Sequence, residues 1–116
     1  MSNAVARWQI IAPNAEASAA FYSKLFGWSV TTDNGLGYRE IDTGDGGMKG
    51  GVWPGPAAEK PFVQLFVSVD DVDHHVTEAT RLGASVIVPP STLPDGDRMA
   101  VLVDPTGLSF GLFQAR

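Results

Sequence analysis

The chain has no cysteine, which rules out disulfides, thiolate metal sites and a cysteine nucleophile. The same absence fits a reducing compartment. Histidine is almost as scarce: there are two, the adjacent His74 and His75. Neighbours on a helix point about 100° apart, so this pair cannot grip one ion from a single face. One reads as a helix-boundary residue beside the stripe Val72, Val76, Ala79, Leu82, and the other as a solvent residue. Basic side chains are few and scattered, 8 Lys and Arg against 13 Asp and Glu, leaving a net charge of −5. A negative field without a basic patch repels phosphate backbones, so a nucleic-acid partner is not expected. No stretch approaches the roughly 20 apolar residues of a membrane helix, and the first residues lack the charged and apolar regions of a secretion signal. The expected location is the cytoplasm. Nucleophile motifs of the GxSxG or SxxK kind are missing as well. Gly-rich Thr43-Gly44-Asp45-Gly46-Gly47 lacks the Lys and Ser/Thr of a phosphate loop and reads as a hairpin turn.

What the chain does have is material for a core. Of 116 residues 44% are apolar, with six Phe, three Trp and two Tyr, so one domain over residues 1–116 can fold without staples. Residues 7–12 read as a strand stopped by Pro13. Asn14 then offers a helix cap, residues 15–26 are helical, and Gly27 supplies the left-handed exit. Strands follow at 28–32, 37–43 and 48–53, the first two joined by an Asp33-Asn34-Gly35 turn. Residues 54–61 hold three prolines and read as a connector. The second half repeats the order: a strand at 62–69, Asp70 and Asp71 as candidate caps, and a helix to Leu82 that stops at Gly83. Further strands are expected at 85–88, ended by Pro89-Pro90, and at 98–103 and 108–114, with a loop over 91–97.

The two halves also align by residue. Leu25-Phe26-Gly27-Trp28-Ser29-Val30 matches Arg81-Leu82-Gly83-Ala84-Ser85-Val86, and Met48-Lys49-Gly50-Gly51-Val52-Trp53 matches Leu108-Ser109-Phe110-Gly111-Leu112-Phe113. This reads as an internal repeat of residues 6–53 and 62–114, with the alternative that two helix ends are alike by chance. The expected class is α+β, two tandem βαβββ units.

Phe21-Tyr22-x-x-Leu25-Phe26-Gly27-Trp28, Val69-Asp70-Asp71-Val72 and Asp104-Pro105-Thr106-Gly107-Leu108-Ser109-Phe110 lie in the order found in one large family. From residue 7 to 114 the chain resembles the vicinal oxygen chelate superfamily of glyoxalases, bleomycin-resistance proteins and dioxygenases. The resemblance implies mixed sheets that curl around a cleft, helices on the outer face, a bound ligand, often a metal, and often a homodimer.

Strand alternation sorts the side chains. Trp8, Ile10, Ala12, Val63, Leu65, Val67, Leu108, Phe110 and Leu112 suit the helix-covered face. Arg7, Gln9, Ile11, Lys49, Gly51, Trp53, Phe62, Gln64, Phe66, Ser68, Ser109, Gly111 and Phe113 suit the other. By resemblance the family's metal ligands fall at Arg7, near Gly51, at Gln64 and at Gly111. Arginine has no lone pair to give, glycine has no side chain and an amide is a weak neutral donor, so no metal site and no cofactor are expected. Ligand-binding candidates are Arg7, Gln9, Trp53, Phe62, Gln64, Phe66 and Phe113. This set reads either as apolar walls with a few polar anchors or as plain core packing. Gly51 and Gly111 either leave room for a ligand or mark close backbone packing. Glu40, a carboxylate in a strand interior, is a candidate general base if it faces Arg7, and otherwise a solvated residue. The leading expectation is a glyoxalase/bleomycin-resistance-like protein that binds a small molecule in the cleft without metal. The alternatives are a lyase or dioxygenase with a non-standard metal site, and a dimerising interaction module.

Overall fold

In a computed structural model the chain is described over residues 3–32, 37–55 and 60–116. These residues form two compact units, one of residues 7–64 and the other of residues 65–116 with the N-terminal residues up to Ala6. The first unit carries β1 (Val5–Ala12, its opening Val5 and Ala6 counted with the second unit), α1 (Ala15–Phe26), β2 (Ser29–Thr31), β3 (Arg39–Asp42) and β4 (Gly50–Pro54). The second carries most of β5 (Phe62–Ser68), then α2 (Val72–Arg81), β6 (Ser85–Thr92), β7 (Arg98–Val103) and β8 (Ser109–Gln114). The class is α+β, as the element order leads one to expect.

Both units have one topology. In the first the strands lie β2-β3-β4-β1, with β1 parallel to β4 and the other pairs antiparallel. In the second the order is β6-β7-β8-β5, again with the first and last strands of the unit, β5 and β8, parallel.

Local chemistry sets the helix ends. Pro13 follows β1, and the Asn14 side chain accepts the Ala17 N–H at 3.0 Å, satisfying an orphan donor of α1. Gly27 closes α1 at φ 73°, where a residue with a Cβ is strained. In α2 the Asp71 carboxylate accepts the His74 N–H at 3.1 Å, and Gln114 Oε1 on β8 accepts the Val72 N–H at 2.8 Å. The second bond ties the start of α2 to the last strand.

Each unit buries its own apolar cluster under its helix. Ala12, Ala15, Ala19, Ile41 and Val52 form the first, flanked by Trp8, Ile10, Trp28 and Val30. Val69, Val72, Ala100, Leu102 and Leu112 form the second, flanked by Val67, Val76, Ala79 and Phe110. Trp8, Ile10, Ala12, Val67, Phe110 and Leu112 therefore lie where strand alternation puts them.

Several sequence expectations need correcting. β6 runs through Pro89-Pro90 to Thr92 instead of stopping at Val88. It pairs on one side within its unit, and register shifts between Val86 and Val88 and between Val88 and Ser91 accommodate residues that have no N–H to give. Pro54 ends β4 instead of opening the connector, and β4 begins at Gly50 instead of Met48. Val63, Leu65, Leu82 and Leu108 are at least half exposed, outside the cover of either helix. α2 stops at Arg81, so Leu82 becomes its cap and its side chain leaves the apolar stripe. The Asp33-Asn34-Gly35 turn and residues 56–59 of the connector lie outside the described residues.

Candidate functional site

The helix-free face of the first unit collects polar chemistry. Because α1 covers Trp8, Ile10 and Ala12 of β1, Ile41 of β3 and Val52 of β4, the alternate residues Arg7, Gln9, Glu40, Gly51 and Trp53 share the opposite face. The register places three of them in one row: Gln9 opposite Gly51 on β4, and Gly51 opposite Glu40 on β3. With strands about 4.8 Å apart, Gln9 and Glu40 stand about 10 Å from each other across Gly51.

Tyr38, just before β3, lies over the gap. A Cβ built on Gly51 would run into the Tyr38 ring at Cζ and Oη, so the phenol rests on the glycine backbone. Its ring stacks on Trp53 with centroids 4.7 Å apart and planes 29° apart. The Arg7 guanidinium carbon sits 6.0 Å from the Tyr38 centroid, and Arg7 Nη2 lies 3.9 Å from Glu40 Oε2. Burial pushes the Tyr38 hydroxyl up to about 12; the Arg7 charge opposes that and the Glu40 charge adds to it. The phenol is therefore neutral at physiological pH, an O–H able to donate.

Gln9 is 4% exposed, and its Oε1 is closed off from water with no hydrogen-bond partner among the described residues. A buried acceptor without a donor costs about 1–3 kcal/mol, so it calls for an occupant that supplies one.

The structure brings Arg7, Gln9, Trp53 and Glu40 onto one face. Gln64 is buried at 6% on β5, and Phe62, at the start of that strand, is 42% exposed. Phe66 and Phe113 belong to the second unit, where the Phe66 ring lies over Gly111 as Tyr38 lies over Gly51. The paired glycines thus receive the protein's own aromatic rings, which decides for close packing over vacant ligand space. Tyr38 is absent from the sequence candidates although the strand expected at 37–43 contained it; in the structure it lies just before β3. The signal was its place two residues before Glu40, the spacing that puts both on one face.

A divalent cation does not suit this donor set. The face offers one carboxylate, Glu40, beside an arginine whose charge opposes a metal, and its other oxygen donors are an amide and a neutral phenol. Among the described residues no three His, Asp or Glu side chains come together as a metal group. His74 and His75 sit edge to face at 5.6 Å, and His75 Nδ1 lies 3.0 Å from the Asp71 carbonyl.

A separate open groove of about 410 Å³ lies on the helix side of the first unit, lined by Glu16, Ala19, Ser23, Val30, Thr32 and Arg39 among others. Two of its polar groups are engaged locally: the Ser23 hydroxyl donates to Trp28 O at 2.8 Å, and Arg39 donates to Gly37 O at 2.6 Å. The helix-free face, with its unsatisfied amide oxygen, is the stronger candidate.

Residues 7–113 match the family model described as "Glyoxalase-like domain". CFP32 of Mycobacterium bovis, provisionally named a glyoxylase, is 32% identical over 106 residues, covering 85% of this chain and 41% of that protein. The anthracycline biosynthesis protein DnrV of Streptomyces peucetius is 29% identical over 119 residues, covering 88% of this chain and 43% of its own. The chain thus spans less than half the length of these curated relatives. Among solved structures, a methylmalonyl-CoA epimerase of Streptomyces coelicolor superposes with a TM-score of 0.68 at 20% identity, covering 98% of this chain and 99% of that one. At that identity the likeness speaks for the fold alone.

Proposed function

The chain belongs to the glyoxalase-like domain family of the vicinal oxygen chelate superfamily, and from that footing we propose that it binds a small organic molecule on the helix-free face of residues 7–64 without recruiting a metal. The observation that carries this reading is the buried, unsatisfied Oε1 of Gln9 beside Gly51 and in the row of Glu40. Around it stand the stacked rings of the buried Tyr38 and the partly exposed Trp53, and a cation, Arg7. Apolar walls with few polar anchors are how small-molecule sites are generally built. The names of the two curated relatives, one of glyoxylase type and one of anthracycline biosynthesis, point to small-molecule chemistry too.

The test is a thermal-shift screen of a chemically mixed fragment library, run with and without a chelator. A molecule held only by the native state raises the melting temperature. Hits that survive chelation and are lost in Gln9→Ala support the reading; a screen without hits, or hits that all need added metal, overturns it.

A second reading, self-association as a homodimer, is favoured by the outer side of α1. Phe21, Leu25 and Phe26 there are each more than half exposed, an apolar ridge of the kind that marks interaction surfaces. Sedimentation of the wild type against Phe21→Ser/Leu25→Ser measures it directly, and a monomeric wild type rejects it.

A further inference from the structure

Each unit carries one helix at the same point of its topology, yet the outer sides of the two helices differ in kind. With Leu25 matched to Arg81, the outward positions Ala17, Phe21 and Leu25 of α1 correspond to Asp73, Thr77 and Arg81 of α2. All of these residues are exposed, Phe21 at 58% and Leu25 at 59%. On α2 each is polar and served within its own unit. Asp73 pairs with Arg98 at 2.9 Å, Arg81 pairs with Glu78, and the Thr77 hydroxyl donates to the Asp73 carbonyl at 3.1 Å. That side is built for water. On α1 the same side is an apolar stripe at i, i+4 and i+8, with the Phe21 ring held edge-on to Tyr22 at 5.1 Å. A ring already held in place loses little freedom when something packs on it. Glu16 in the first turn and Lys24 in the last lie along one flank of the stripe, and neither has an ion pair among the described residues.

We infer that a second copy of this chain covers the stripe, with α1 packed antiparallel on the partner's α1 about a two-fold axis at Phe21. This rests on self-association through α1 and adds its geometry. The pairing sets Phe21 on the partner's Phe21 and each Ala17 opposite a Leu25, so a small residue receives a large one on both sides of the axis. Along α1, Lys24 stands about 4.5 Å beyond Phe21, and the antiparallel partner's Glu16 stands about 7.5 Å beyond it on the same side. Opposite charges are then offset by only about 3 Å along the axis. A parallel pairing would set Lys24 against Lys24 and Glu16 against Glu16. The charges choose the direction. A helix of 12 residues, about 18 Å long, covers far less than the roughly 800 Å² per partner of a standard interface. The expected dimer is therefore weak and reversible, with a Kd of about 10–100 µM.

Sedimentation velocity from about 5 µM to about 1 mM follows the association, and the wild type is expected to pass from monomer to dimer across that range. Lys24→Glu and Glu16→Lys are each expected to weaken the dimer several-fold. Both changes in one chain are expected to restore it, which a mere loss of packing would not allow. Cross-linking reads the direction, because the chain has no cysteine of its own. Under oxidised glutathione, a mixture of Ala17→Cys and Leu25→Cys chains is expected to form the mixed disulfide in preference to either like pair. It is also expected to exceed the background set by Thr77→Cys, the matched position on α2. Circular dichroism checks that every variant is folded. A wild type that stays monomeric throughout sinks both the pairing and the self-association beneath it. A dimer whose like pairs cross-link best, whose mixed pair stays at background, or whose double charge exchange fails to restore it overturns the antiparallel pairing and leaves self-association standing.

Discussion

The phenol of Tyr38 rests on the backbone of Gly51, in the space where any other residue would put its Cβ. The Arg39 carbonyl crowds the same point, so backbone as well as side chain defines the vacancy. The same ring is stacked on Trp53 and feels the charges of both Arg7 and Glu40.

Gly51→Ala therefore destabilises the protein by about 1–3 kcal/mol, the usual cost of overpacking a tight site. Urea unfolding followed by tryptophan fluorescence measures it. Because a backbone oxygen shares the clash, Tyr38→Ala recovers only part of the loss. Full recovery in the double variant would show that the ring alone fills the space.

Gly111 offers the contrasting case, since the three nearest atoms to a Cβ there all belong to the Phe66 ring. Gly111→Ala should cost a similar amount, and Phe66→Leu in the same chain should relieve most of it, because a smaller side chain can yield where a carbonyl cannot. A double-mutant cycle should return a coupling of about 1 kcal/mol or more. Additive effects would mean the two residues do not meet.

Tyr38 titrates late. Its pKa is pushed up to about 12 from 10.0, so between those values the unfolded chain releases a proton that the folded chain keeps. The unfolded state binds fewer protons there, and stability falls as pH rises. The contribution is whole below about pH 10 and is lost by about pH 12, amounting to about 2–3 kcal/mol. Tyrosinate absorbance should show a late step near pH 12 that is absent in Tyr38→Phe. A titration without that late step would contradict this.

The cap of α2 is a local prediction. Asp71→Ala leaves the His74 N–H without its acceptor and should cost about 1 kcal/mol, while Asp71→Asn, which keeps an acceptor oxygen, should cost a few tenths. Thermal melts of the two variants separate a hydrogen-bonding role from a charge role.

Much of this protein is legible residue by residue. The caps at Asn14 and Asp71, the exit at Gly27 and the order of elements follow from short-range rules, and the structure has them. The two-residue alternation of strands also gave the correct face for Arg7, Gln9, Gly51 and Trp53, because the covered residues beside them pack under α1. Tyr38, inside the strand expected at 37–43 and two residues before Glu40, was passed over as a site residue, and the Pro89-Pro90 segment was expected to end its strand. Proline forbids donation, and the segment is tolerated in β6 because that strand pairs on one side within its unit.

From its residues alone the chain determines helix ends, strand phases and the poverty of metal donors, since each depends on the chemistry of one residue or of near neighbours. What stands over Gly51 and Gly111, and which apolar side chains stay uncovered, was decided only in three dimensions. A glycine states that a Cβ is absent but not what fills its place. That depends on Tyr38 and Phe66, brought there by turns and pairings far along the chain.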